Sequence, residues 1–136
     1  MVVDVDAELD ESSVDDVAQC EDVIVNQSQV ALPPGAENDI RQEVDRILSP
    51  YGFETRLLVI RHANSLAVYI TCLTLSAIMS LRVSWSNGQL KGIVESLFTF
   101  LSSATRAVRV KRLNWPLSDY KRCAEFLISV KGEQIV

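Results

Sequence analysis

The sequence predicts an α+β fold: an open sandwich in which a four-stranded sheet carries helices on one face, of the split βαβ (ferredoxin-like) type. Three observations predict it. Strand-period and helix-period segments follow one another in the order β-α-β-β-(α)-α-β-α. At 136 residues and 48% hydrophobic content, the chain has the size and apolar share of one domain with one core. An uncharged run, residues 63–81, divides into a β-branched half and a half that leads towards a helix.

Residues 1–22 hold nine acidic side chains and no basic one; beyond them the balance is thirteen basic to nine acidic. Self-repulsion and scattered single valines predict a disordered acidic tail, leaving residues 23–136 as the folded domain. Val23–Ile24–Val25 reads as a first strand running to Gln27, and Pro33–Pro34–Gly35 as a break. Over residues 38–49, Ile40, Val44, Ile47 and Leu48 form one helical stripe, with Asn38 as cap and Ser49–Pro50–Tyr51–Gly52 as stop.

Residues 53–61 and 66–73 read as two strands joined at His62–Ala63–Asn64–Ser65, an antiparallel hairpin. Residues 63–81 also approach the length of a membrane span. Scattered Ser, Thr and Asn, and basic residues at both ends, argue for the strand. Residues 76–85 fit either a short helix or a strand through Leu81, Val83 and Trp85. Ser86 and Gln89 fit a capping box before a helix over 87–103, whose wide stripe of Leu90, Val94, Leu97, Phe98 and Leu101 predicts deep burial. Residues 106–113 alternate, Val108 and Val110 inward, Arg109 and Lys111 outward. Ser118 caps a last helix over 119–131, with Tyr120, Cys123, Ala124, Leu127 and Ile128 inward and Gly132 as its stop.

No chemistry is spelled out. His62 is the sole histidine, no glycine-rich phosphate loop occurs, and three widely spaced cysteines make neither a disulfide framework nor a zinc pattern. The expectation is a non-enzymatic protein without cofactor or metal, cytoplasmic because its thiols read as reduced. The acidic N-terminus matches neither a signal nor a transit peptide. Arg106, Arg109, Lys111, Arg112, Lys121 and Arg122 allow a nucleic-acid-binding alternative, but Tyr69 and Trp115 do not form the paired aromatic platform that single-strand readers need. The acidic segment is available as an internal partner for these arginines.

Three stretches, VIRHANSLAVYITCL, NGQLKGIVESLFTFLS and SDYKRCAEFLIS, give the region Val23–Gly132 a pattern that resembles the N-terminal domain of the TRADD family, the tumour-necrosis-factor-receptor-associated death domain adaptors. The resemblance implies a four-stranded antiparallel sheet. It also implies an adaptor or regulator in death-receptor or innate-immune signalling, whose sheet face docks on a TRAF-type domain. The matching positions are Val23 and Val25 on strand one, His62 and Ser65 at the turn, Val68 on the return strand, and Arg112 and Asn114 after the last strand. The family's charged loop is replaced by Asn114–Trp115–Pro116–Leu117, and the sequence ends at Val136 with no counterpart of the death domain. Val25 and Val68 also fit a core role, and His62 a turn-closing one.

Overall fold

The computed structural model describes residues 1–32, 38–52, 54–63 and 65–135, with side chains to residue 129. The Pro33–Pro34–Gly35 break, Phe53 and Asn64 lie outside them. Four strands and five helices follow in the order β1 (Val2–Leu9), α1 (Val17–Ala31), α2 (Asp39–Ile47), β2 (Thr55–His62), β3 (Leu66–Cys72), α3 (Leu75–Ser86), α4 (Gln89–Ser102), β4 (Val110–Asn114) and α5 (Leu117–Ile135). The sheet order is β2-β3-β1-β4, every neighbouring pair antiparallel. This is the expected open α+β sandwich of split βαβ type, with β3 inserted between the parallel strands β1 and β2.

The largest correction concerns the N-terminus. Residues 2–9 are not a tail; they form β1, an inner strand between β3 and β4. The segment VVDVDAEL alternates with period two, so Val3, Val5, Ala7 and Leu9 enter the core while Asp4, Asp6 and Glu8 point the other way. The domain therefore begins at β1, not at residue 23. A second correction follows from it. Val23–Ile24–Val25 is not a strand but part of α1, capped by Asp16, whose side chain accepts from Gln19 N at 3.1 Å. Ile24, Val25, Ser28 and Ala31 form its buried stripe.

The remaining elements lie close to expectation. Asn38 caps α2 by accepting from Arg41 N at 2.8 Å, and Gly52 ends the following turn at φ +78°. The β2–β3 hairpin pairs His62 with Leu66 through Thr55 with Cys72, with an irregularity between Leu57 and Val59 that turns Leu58 outward. Residues 76–85 are helical, within α3, whose N-terminus Thr74 caps by accepting from Ala77 N. The uncharged run is thus β3 plus half of α3, and among the described residues no helix is long and apolar enough to cross a membrane. The expected Ser86–Gln89 capping box is replaced by a turn at Asn87–Gly88, with Gly88 at φ +88° and Asn87 Oδ1 accepting from Gln89 N. Helix α5 runs through Gly132 to Ile135, so that glycine is no stop, and Ile128 is exposed rather than inward.

The core lies between the sheet and its helices: Val3, Val5, Leu57, Ile60, Val68 and Ile70 meet Ile24, Val44, Leu90, Leu97 and Phe98, all buried. Helix α3 carries a clamp. The Arg82 guanidinium sits 4.2 Å from the Trp85 ring centre, 5.1 Å from Trp115 and 5.2 Å from Tyr120, and donates to Trp115 O at 2.7 Å. It ties α3 to the β4–α5 connection.

Candidate functional site

The sheet has one covered face and one open one. Residues paired across the strands share a face, so the register sets out the open side row by row: Arg61, Ala67, Asp6 and Asn114; then Val59, Tyr69 and Asp4; then Arg56, Thr71 and Val2. Glu8 and Arg112 form a further pair. Arg56, Arg61, Arg112 and Asn114 are exposed, whereas Val59, Tyr69, Thr71, Asp4 and Asp6 are half-buried beneath their neighbours. The result is a weakly apolar strip along β3, an acidic stripe on β1 and basic groups on both outer strands.

Both sheet edges are closed by side chains. On the outer edge of β2, Ile60 N donates to Ser28 Oγ at 3.0 Å and Ile60 O accepts from it at 3.1 Å. Arg41 Nη1 donates to Leu57 O at 2.8 Å. On the β4 edge, Val110 N donates to Glu95 Oε2 at 2.8 Å and Trp85 Nε1 donates to Leu113 O at 3.0 Å. Where β4 stops short, α5 takes over the margin of β1. Asp4 N donates to Asp119 Oδ2, while Val2 O accepts from Arg122 Nη2 and from Cys123 Sγ. These groups occupy the main-chain positions at which a partner strand would pair.

Burial is the largest influence on Asp4; together with Asp6 and Asp119 it raises the carboxyl above its ordinary 3.8. Asp4 Oδ1 is buried with no hydrogen-bond partner in the protein. Burial likewise pushes the Cys72 thiol up to about 11, and Cys20 and Cys123 upward, so none is primed as a nucleophile. No group of three or more His, Cys, Asp or Glu that could hold a metal occurs among the described residues. A depression of about 790 Å³ between α2 and α4 is lined in part by groups already committed to the fold. Glu95 holds Val110 N, Thr99 Oγ1 accepts from Val108 N, and Arg46 pairs with Glu43.

The seven positions carried over by the resemblance are scattered. Val25 and Val68 are core; Val68 points at the helices, at 0% exposure, which corrects its expected place on a docking face. Val23 is half-buried on α1 and lines a small depression with Cys20 and Ser102. His62 leaves the open face at the end of β2 and pairs with Asp22 of α1 at 2.9 Å. Ser65 lies in the hairpin turn, where its carbonyl accepts from Ala63 N. Only Arg112 and Asn114 are on the open face. The residues that define that face, Tyr69, Val59, Arg61, Asp4 and Asp6, are not among the seven. The signal that marks them is the alternation of β1 together with the hairpin register.

Four of the six basic residues meet acidic partners within the chain, on β1, on the segment before α1 and on α5. Arg106 meets Asp15 at 3.0 Å, Lys111 and Arg112 approach Glu8 at 3.9 and 4.0 Å, and Arg122 meets Asp119 at 2.7 Å. No protein-family model matches this chain, and no curated protein sequence matches it.

Proposed function

We propose that this domain is a non-catalytic protein-docking module whose open sheet face receives a protein partner. The observation that carries the reading is the contrast between face and edges. The edges are sealed by Ser28, Arg41, Glu95, Trp85 and Asp119, while the face presents Tyr69 at the centre of a polar rim. Strand addition is thereby disfavoured, and face-on docking with an aromatic anchor is what the geometry supports. The resemblance in the hairpin, α4 and α5 extends the proposal. It makes the domain a cytoplasmic adaptor or regulator in death-receptor or innate-immune signalling, with a TRAF-type domain as partner. The contact set is redrawn from the family positions to Val59, Arg61, Tyr69, Asp6, Arg112 and Asn114.

The test is titration of purified TRAF-type domains against wild type and Tyr69→Asp, with circular dichroism of both. An anchor tyrosine at the centre of an interface is worth about 2 kcal/mol, or roughly thirtyfold in affinity. The expected result is binding by wild type and its loss in the variant at unchanged fold. Wild type that binds no TRAF-type domain refutes the partner; a variant that binds like wild type refutes the face.

A further inference from the structure

The open face is self-complementary, and we propose that it also docks on a second copy of this chain, forming a symmetric dimer. The proposal takes that face to be a protein-docking surface, as above, and names a second occupant for it.

The motivation is the order of charge across the strands. Taken across the sheet, the row through Ala67 reads Arg61 on β2, Ala67 on β3 and Asp6 on β1. Arg61 and Asp6 thus stand one strand to either side of β3, with the smallest side chain of the row between them. Among the described residues neither makes a salt bridge within the chain. A two-fold axis laid along β3, parallel to the strands, exchanges left and right but leaves position along the strand unchanged. It therefore sets Arg61 of each copy against Asp6 of the other, twice, above Ala67, which is itself 3% exposed. The next row places Tyr69 beside its own symmetry mate. Sheets packed face to face cross at about 30°, so two residues of strand, about 6.6 Å, carry each ring roughly 1.7 Å off the axis. The rings then pass side by side at about stacking distance rather than colliding. An axis along β1 would instead lay carboxylate on carboxylate, so the charge pattern selects the one along β3.

The same geometry makes the association weak. The axis along β3 overlays β2, β3 and β1 and leaves β4 without a counterpart, so three strands spaced about 4.8 Å apart, with six residues at about 3.3 Å each, give a projected face of roughly 290 Å² per copy. Counted over both copies that lies below the about 1,200–2,000 Å² that stable specific interfaces bury, which makes the dimer a transient one. Val59 also meets Asp4 across the axis, an apolar group against a carboxylate. A dimer this small is held in the micromolar range or more weakly. Because the dimer covers Tyr69, it excludes the partner proposed above, and the two compete for one surface.

Charge exchange tests this directly. Sedimentation velocity is run across the micromolar range, about 1–300 μM, on wild type, Arg61→Glu, Asp6→Arg and an equimolar mixture of the two variants. Wild type dimerises reversibly. Each single variant places like charges in both reciprocal contacts and loses roughly thirtyfold in affinity. The mixture recovers dimer. In the mixed pair the glutamate introduced in one variant meets the arginine introduced in the other, and the unaltered Asp6 meets the unaltered Arg61. Circular dichroism of each variant checks that the surface substitutions leave the fold intact. A wild type monomeric throughout, or a mixture that fails to recover dimer when both variants are folded, overturns the proposal. The docking reading fails separately, through Tyr69→Asp binding a TRAF-type domain like wild type.

Discussion

Ser28→Ala removes the hydroxyl that seals the β2 edge. Ser28 is 1% exposed, and its Oγ accepts from Ile60 N at 3.0 Å and faces Ile60 O at 3.1 Å and Val25 O at 2.9 Å. Alanine leaves the Ile60 amide buried without a partner, which costs about 1–3 kcal/mol. Ser28 lies inside α1, where alanine is the better helix former by up to about 0.5 kcal/mol, a partial offset. The net loss is about 0.5–2.5 kcal/mol, and for a domain of this size each kcal/mol lowers the melting midpoint by about 3–4 °C. A thermal melt should therefore drop by roughly 2–10 °C, and the Ile60 amide should exchange faster with solvent. Ser86→Ala, which removes an exposed hydroxyl bound only to Val83 O, serves as the control with almost no change. A Ser28→Ala midpoint equal to that of the control, with Ile60 still protected, would refute the edge-seal account.

Further outcomes follow from the clamp, the acidic stripe and the core. Arg82→Met removes a guanidinium from among three rings and frees Trp115 O, and should cost about 1–3 kcal/mol by chemical denaturation. Arg82→Lys should recover part of that loss. Asp4→Asn should raise the melting midpoint at neutral pH. A carboxyl whose folded value is raised destabilises the fold once ionised, so the gain should shrink as pH falls towards 3.8 and vanish below it, as melts across that range will show. Val68→Asp should unfold the domain, because Val68 is fully buried against Val5 and Ile60; a folded, soluble variant by circular dichroism would contradict its core placement.

Where one periodicity dominated a segment, the sequence disclosed the structure. The hairpin through Ile60 and Val68, the Val44 stripe of α2 and the Leu90–Leu101 face of α4 each had a single repeat and flanking turn residues. At the N-terminus two signals competed. Nine acidic side chains pointed to a solvated tail, while the alternation of Val3, Val5, Ala7 and Leu9 pointed to a strand. The alternation prevailed because Asp6 and Glu8 lie on the open face and stay partly hydrated as the valines pack, and only Asp4 bears a burial cost that raises its carboxyl. Once β1 supplied the inner strand, Val23–Ile24–Val25 was free to follow its helical stripe, in which Ile24, Ser28 and Ala31 recur at 3.6-residue spacing. Beta-branched composition was overridden by tertiary context. The open face was hidden for a related reason: it joins one hairpin to two strands far away in sequence, so Arg61 and Asp6 meet in one row only through the register.

The most direct test of the docking account is a chemical-shift map of the isotope-labelled domain titrated with an unlabelled TRAF-type domain. The account predicts that the shifts concentrate on Val59, Arg61, Ala67, Tyr69 and Asp6, with Ser28, Glu95 and the exposed α3 residues Met79 and Val83 unaffected. Shifts confined to the helical side, leaving Tyr69 and its row unchanged, would contradict it.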